Sequence, residues 1–103
     1  MDNNIRTAVV EVSGPMGLHG RPAAQLAKLA SGFSSKITLC RREDPENQAD
    51  CRSILSLLIL AATTGTKLLL EVDGDDCDDA CSAIEAFFAA GFDQDMEPGS
   101  SQG

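Results

Sequence analysis

Basic side chains are scarce in this chain. Of 103 residues, eight are Lys or Arg against sixteen Asp or Glu, a formal net charge of -8. Nucleic acid as a partner is excluded, because phosphate neutralisation needs clustered cations. No segment reaches the roughly 18 consecutive apolar residues that a bilayer span requires, so membrane insertion is not expected. The opening residues Met1, Asp2, Asn3 and Asn4 lack a basic segment ahead of an apolar one, so no signal peptide is expected and the location is cytoplasmic. Cysteine is present but not in metal spacing: Cys40, Cys51, Cys77 and Cys81 form no C-x-x-C pair. In a reducing cytosol they read as thiols packed like small hydrophobes. Cys77 and Cys81 share a helix face at four residues' separation, weak grounds for a metal. The acidic stretch Asp73–Asp79 lacks a Ca²⁺ ligand loop and reads as charge favoured near a helix start. No metal or cofactor is expected.

What is present suffices for one modest domain, since 43% of the residues are hydrophobic. A chain this short buries about 60–65% of its unfolded surface. It leaves little room for a deep cavity, so function belongs on the surface. The domain is expected over residues 1–92, followed by a polar, disordered tail over 93–103 that contains Pro98 and Gly99. A monomer is the default.

Alternation over 5–12 (IRTAVVEV) predicts a strand with Ala8, Val10 and Val12 inward. From Pro22 to Phe33, apolar residues at Ala23, Leu26, Ala27, Ala30 and Phe33 predict an amphipathic helix, with Pro22 in its first turn. Residues 36–41 predict a second strand, 42–47 a turn around Asp44-Pro45, and 48–51 a short third strand with Ala49 and Cys51 inward. Ser53 is a candidate N-cap for the apolar helix ILSLLILAA, which Thr63, Thr64 and Gly65 end. Residues 66–72 predict a fourth strand with Leu68, Leu70 and Val72 on one face. A last helix buries Ala80, Cys81, Ile84, Phe87 and Phe88 and stops at Gly91. The order β-α-β-β-α-β-α, with one apolar face per strand, indicates an α+β fold: an antiparallel sheet covered by helices on one side.

His19 is the chain's one histidine. It lies where a loop meets a helix start, in Gly17-Leu18-His19-Gly20-Arg21-Pro22-Ala23-Ala24. The first N–H groups of a helix lack intrahelical acceptors, and the dipole there is positive, a setting that stabilises a phosphoryl dianion. Gly17 and Gly20 let backbone N–H groups approach. Arg21 adds a forked cation matched to phosphate oxygens. The same positive charge lowers the pKa of an imidazole, keeping it neutral and nucleophilic at pH 7. A lone His beside an Arg is more often an ordinary loop or cap residue. Here the glycines, the helix start and the element order agree on a phosphoryl site. Phosphoryl transfer needs mainly positioning and charge stabilisation, so a carrier can present half a site and its partner the rest.

These residues resemble the phosphohistidine signature of the HPr family, the phosphocarriers of the sugar phosphotransferase system. The similarity continues through AAQLAKLASGF. It resumes at Asp50-Cys51-Arg52-Ser53-Ile54-Leu55, which looks like the family's regulatory serine segment, and it extends through TKLLLEVDG and the last helix, about residues 5–92. The resemblance implies an open-faced β-sandwich of four antiparallel strands and three helices. It implies phosphorylation of His19 at Nδ1 by Enzyme I, using phosphoenolpyruvate, and transfer to EIIA domains of sugar permeases. Arg21 would hold the phosphate. Ser53 would be the target of HPr kinase/phosphorylase in organisms that possess it. Such a protein is a carrier without independent turnover, and a nitrogen-branch or regulatory paralogue would use the same histidine. A module that keeps the fold but carries no phosphate is the alternative from another class.

Three departures from the family pattern stand out. Gly20 replaces a common Ala. The stretch from Ile37 to Ser53 is about three residues longer, by comparison with the family pattern, with the insertion placed near Asp44-Pro45. Ser56 and Ala61 occupy places often held by glycine. The last two bear on which EIIA or kinase is recognised.

Two surface features complete the expectations. The residues Ile54, Leu55, Leu57, Leu58, Ile59 and Leu60 cannot all face the core of a two-turn helix. An exposed docking patch of Ile54, Leu55 and Leu58 beside His19 is expected, the alternative being a fully buried helix. Ser53 is open to two roles. As an N-cap it contributes about 1 kcal/mol. As a phosphosite it would carry about two negative charges at a helix N-terminus, within the docking face.

Overall fold

The computed structural model describes residues 4–13, 17–18, 20–60 and 63–91. The elements are β1 (Ile5–Glu11), α1 (Arg21–Ala30), β2 (Lys36–Arg41), β3 (Asp44–Asp50), α2 (Ile54–Leu60), β4 (Lys67–Asp73) and α3 (Cys77–Ala89). The strands form one antiparallel sheet in the order β1-β4-β2-β3. The expected βαββαβα order and one-sided helical cover are both present. The expected tail and the end of the domain fall outside the described residues, as do Ala61 and Ala62 of the expected second helix.

Strand alternation builds the core. On β4, Leu68, Leu70 and Val72 are fully buried, while Leu69, between them, is exposed on the opposite face. Val10 and Val12, Ile37 and Leu39, and Ala49 and Cys51 join the buried set from the other strands. The helices answer with Ala23, Leu26, Ala27 and Ala30, then Leu57 and Leu60, then Ala80, Cys81, Ile84, Phe87 and Phe88. Each fully buried Val, Leu, Ile or Phe side chain contributes about 1.5–3 kcal/mol. The four cysteines are buried free thiols. Cys40 faces the side of the sheet away from the helices and is not part of the core cluster.

Register defines two ends of the sheet. Glu11 pairs with Lys67 and Arg41 with Leu68, whereas Ile5 and Lys36 both pair with Asp73. Helix α1 leads into β2 at the Asp73 end, so it starts toward the Lys67 end. Helix α2 runs the other way. Cys51, just before it, donates its N–H to the Ile37 carbonyl at 2.9 Å, and the Arg41 guanidinium donates to the Leu60 carbonyl at 3.1 Å at its exit. Helix α3 also finishes at the Lys67 end, where the Ser13 hydroxyl donates to the Phe88 carbonyl at 3.4 Å.

The β2–β3 hairpin departs from the sequence expectation. The turn is confined to Arg42 and Glu43, and β3 begins at Asp44 rather than Gln48. Pro45, which lacks an N–H, is tolerated because β3 is an edge strand. Thr38 pairs with Asp50 and Leu39 with Ala49, but Arg41 pairs with Asp44, where unbroken register would give Asn47. Three residues of β3 are therefore taken up as a bulge. The extra length lies within the strand, not in an enlarged turn.

Candidate functional site

Gly17 and Gly20 have φ of 76° and 65°, the left-handed region that glycine enters without a Cβ penalty. Between them Leu18 is fully buried, a fixed anchor one residue before His19. His19 itself lies outside the described residues. Gly20 is the N-cap of α1, and its carbonyl accepts the Ala24 N–H at 3.1 Å. A Cβ on Gly20 would meet nothing within 4 Å, so backbone conformation rather than crowding calls for glycine there. Pro22 sits at the second helical position and has no N–H. The amides without an intrahelical acceptor are thus those of Gly20, Arg21 and Ala23. Arg21, at the first helical position, is exposed. The segment following His19 therefore has the amides, dipole and guanidinium that a phosphoryl group requires.

Ser53 is half-buried. Its hydroxyl accepts the Ser56 N–H at 3.1 Å and its carbonyl accepts the Leu57 N–H at 3.1 Å, so it does cap α2. The residue before it does more than the sequence suggested. The Arg52 guanidinium donates to the carbonyls of Phe33 and Ser35, each at 2.8 Å, which sets Ser53 beside the exit of α1. Ten residues of helix, about 15 Å, separate that exit from Arg21. Ser53 and Arg21 thus stand at opposite ends of α1.

On α2, Leu57 and Leu60 face inward while Ile54, Leu55 and Leu58 are exposed at 44%, 67% and 40%. Ile59, absent from the expected patch, is the most exposed of all at 73%. Because α2 runs toward the Lys67 end, Leu58 and Ile59 lie nearer the start of α1 than Ile54 does. The patch is therefore beside the start of α1 only at its C-terminal end. Helical phase could have found Ile59, which lies one turn after Leu55. Its direction relative to α1 needed the fold.

Neither α1 nor α2 contains an Asp or Glu, while Arg21, Lys28 and Arg52 lie on or beside them. Helices α1 and α2 thus carry two basic side chains and no acidic one, with exposed apolar residues on α2, on a chain of net charge -8. A groove of about 340 Å³ runs between β3 and α2, lined among others by Arg41, Asn47, Gln48, Ala49, Ile59 and Leu60. Among the described residues, no cluster of three or more His, Cys, Asp or Glu could hold a metal ion. No helix among them is long and apolar enough to cross a membrane.

Known proteins are similar to this chain in sequence and fold. The family described as "PTS HPr component phosphorylation site" matches residues 6–90. Phosphocarrier protein NPr of Escherichia coli K12 is 35% identical over 86 residues, 84% of this chain and 93% of that protein. Phosphocarrier protein HPr of Mycoplasma capricolum is 42% identical over 74 residues, 72% of this chain and 80% of its own length. The crystal structure of HPr-C-His from Thermoanaerobacter tengcongensis superposes with a TM-score of 0.78 at 29% identity, covering 84% of this chain and 94% of that one. An HPr dimer from the same organism superposes with a TM-score of 0.65 at 30% identity, covering 81% and 92%.

Proposed function

This chain belongs to the HPr family of phosphotransferase-system phosphocarriers, and from that premise we propose that His19 accepts a phosphoryl group from phospho-Enzyme I and passes it to EIIA domains. The observation that carries this is the helix start immediately after His19, with Gly20 in the left-handed region, Pro22 at the second position and Arg21 exposed at the first. A neutral imidazole Nδ1 lone pair attacks phosphorus while the bond from phosphorus to the donor breaks, and the reverse exchange delivers the group to the acceptor. Arg21 and the amides of the first turn offset the charge on the transferring oxygens. Gly20 keeps that turn free of a side chain. The protein acts in the cytoplasm as a monomer and has no turnover of its own. The basic, apolar α1–α2 face docks acidic partners, with Ile54, Leu55, Leu58 and Ile59 as its apolar contacts.

Incubation with phosphoenolpyruvate and Enzyme I tests the proposal. An acid-labile phosphate on the wild type that disappears in His19→Ala supports it. An unlabelled wild type sinks it.

The similarity to NPr favours a second assignment, in which the acceptor is a nitrogen-type EIIA rather than one from a sugar permease. Competing the two acceptors for phosphorylated protein decides between them. Ser53 is a candidate for HPr kinase/phosphorylase. A phosphate there would lie about one α1 length from Arg21, within the docking face, and would repel acidic partners.

A further inference from the structure

Between Gly17 and Gly20 the chain passes from the interior to the surface. Gly17 and Leu18 are buried, whereas Gly20 is exposed and a Cβ on it would meet nothing within 4 Å. Glycine restrains the backbone less than any other residue, because it lacks a Cβ. With φ of 76° at Gly17 and 65° at Gly20, local sterics do little to hold this segment still. Two contacts do so instead. After His19, the Gly20 carbonyl accepts the Ala24 N–H at 3.1 Å and starts α1. Before His19, the Leu18 side chain is fully buried in the cluster that also holds Leu26 of α1, Leu57 of α2 and Ile84 of α3. Consecutive Cα atoms are about 3.8 Å apart, so a residue whose two neighbours are both held has little room to drift.

We propose that Leu18 is a positioning residue for phosphoryl transfer, whose side chain holds the backbone before His19 and so fixes the imidazole relative to the first-turn amides and Arg21. The inference rests on His19 being the phosphoryl acceptor. Leu18 acts through His19 from inside the core. Being fully buried, it offers no surface to Enzyme I, so its truncation leaves docking intact and acts on the transfer step. In-line attack needs the reacting atoms aligned at about 3–3.5 Å, and about 1 Å of misplacement costs up to a hundredfold in rate. A core leucine without this role would change stability alone.

Rapid quench of phospho-Enzyme I with increasing concentrations of the full chain separates the two effects. It yields the maximal transfer rate and the concentration that gives half of it. In Leu18→Ala the maximal rate should fall about tenfold, with the half-saturating concentration within roughly twofold of wild type. Leu18→Met conserves volume and should recover to within about threefold. Ile84→Ala, an equally buried truncation on α3, is the structural control. At a similar loss of Tm its maximal rate should stay within roughly twofold of wild type. Should Leu18→Ala be unfolded at the assay temperature, Leu18→Val takes its place, with an expected fall of about threefold. Equal rates in the Leu18 and Ile84 variants would overturn the proposal, as would a loss confined to the half-saturating concentration. A wild type that takes no phosphate sinks the proposed function and this inference with it. A labelled wild type with an unaffected Leu18→Ala sinks the role of Leu18 alone.

Discussion

Arg52 donates to the carbonyl of Phe33 at 2.8 Å, tying the entrance of α2 to the exit of α1. A hydrogen bond from a charged donor is worth roughly 1.5–3 kcal/mol when shielded, and exposure of Arg52 reduces this. Arg52→Ala should cost about 1 kcal/mol in denaturant unfolding. Arg52→Lys should recover only part, because an ammonium cannot reproduce the guanidinium's planar fork. An unchanged midpoint for Arg52→Ala would show that the contact does not hold the helices together.

Asp76 opens α3 but makes no side-chain bond to its own helix. Its carboxylate instead accepts the Ser35 hydroxyl and the N–H groups of Ser34 and Ser35, both amides at 2.9 Å. The Ser35 hydroxyl above all, then the Ser34 N–H, holds the Asp76 pKa below its ordinary value. A depressed carboxylate contributes stability that is present above its unfolded pKa, about 3.9, and is lost as pH falls through the folded value. Urea midpoints of the wild type should therefore drop below about pH 4. Asp76→Asn should be less stable at pH 7 and flatter over the acid range. Parallel pH profiles would refute the assignment.

Gly74 tests the same junction sterically. A Cβ there would stand 2.5 Å from Ser35 Oγ and 2.7 Å from Ser35 Cα, and the second contact is backbone that no rotamer change relieves. Gly74→Ala should destabilise by about 2–3 kcal/mol, read as a lowered Tm.

Ser53 separates capping from regulation. Ser53→Ala removes the acceptor of the Ser56 N–H and should cost about 1 kcal/mol. Ser53→Asp keeps a cap and should leave stability near wild type, while slowing acceptance from Enzyme I if an acidic partner docks on α2. Equal rates for both variants would exclude Ser53 from the proposed docking face.

Burial pushes the Cys51 thiol up to about 12. The folded thiol stays neutral, while an unfolded one ionises above about pH 8.5. The unfolded state then binds fewer protons, so stability should fall as pH rises beyond that point. Iodoacetamide at pH 8, followed by peptide mass mapping, should find Cys51 the slowest of the four cysteines. Rapid labelling of Cys51 in folded protein would contradict its burial.

Local pattern was enough for much of this molecule. The alternation of Leu68, Leu70 and Val72, the helical spacing of Ala23, Leu26, Ala27 and Ala30, and the glycines flanking His19 each reflect forces acting within a few residues. They determined the element order and singled out the residues of the proposed phosphoryl site. The path of β3 was not legible. Asp44, Pro45 and Asn47 have turn chemistry, and only pairing with β2 at an open sheet edge makes strand of them. Nor could spacing show that Arg52 reaches Phe33 and Ser35, that Asp76 serves Ser35 rather than its own helix, or that Ile59 rather than Ile54 lies toward the start of α1. Those relationships join segments far apart in the chain, and they depend on the direction in which each helix crosses the sheet. Only the packed tertiary structure decides that.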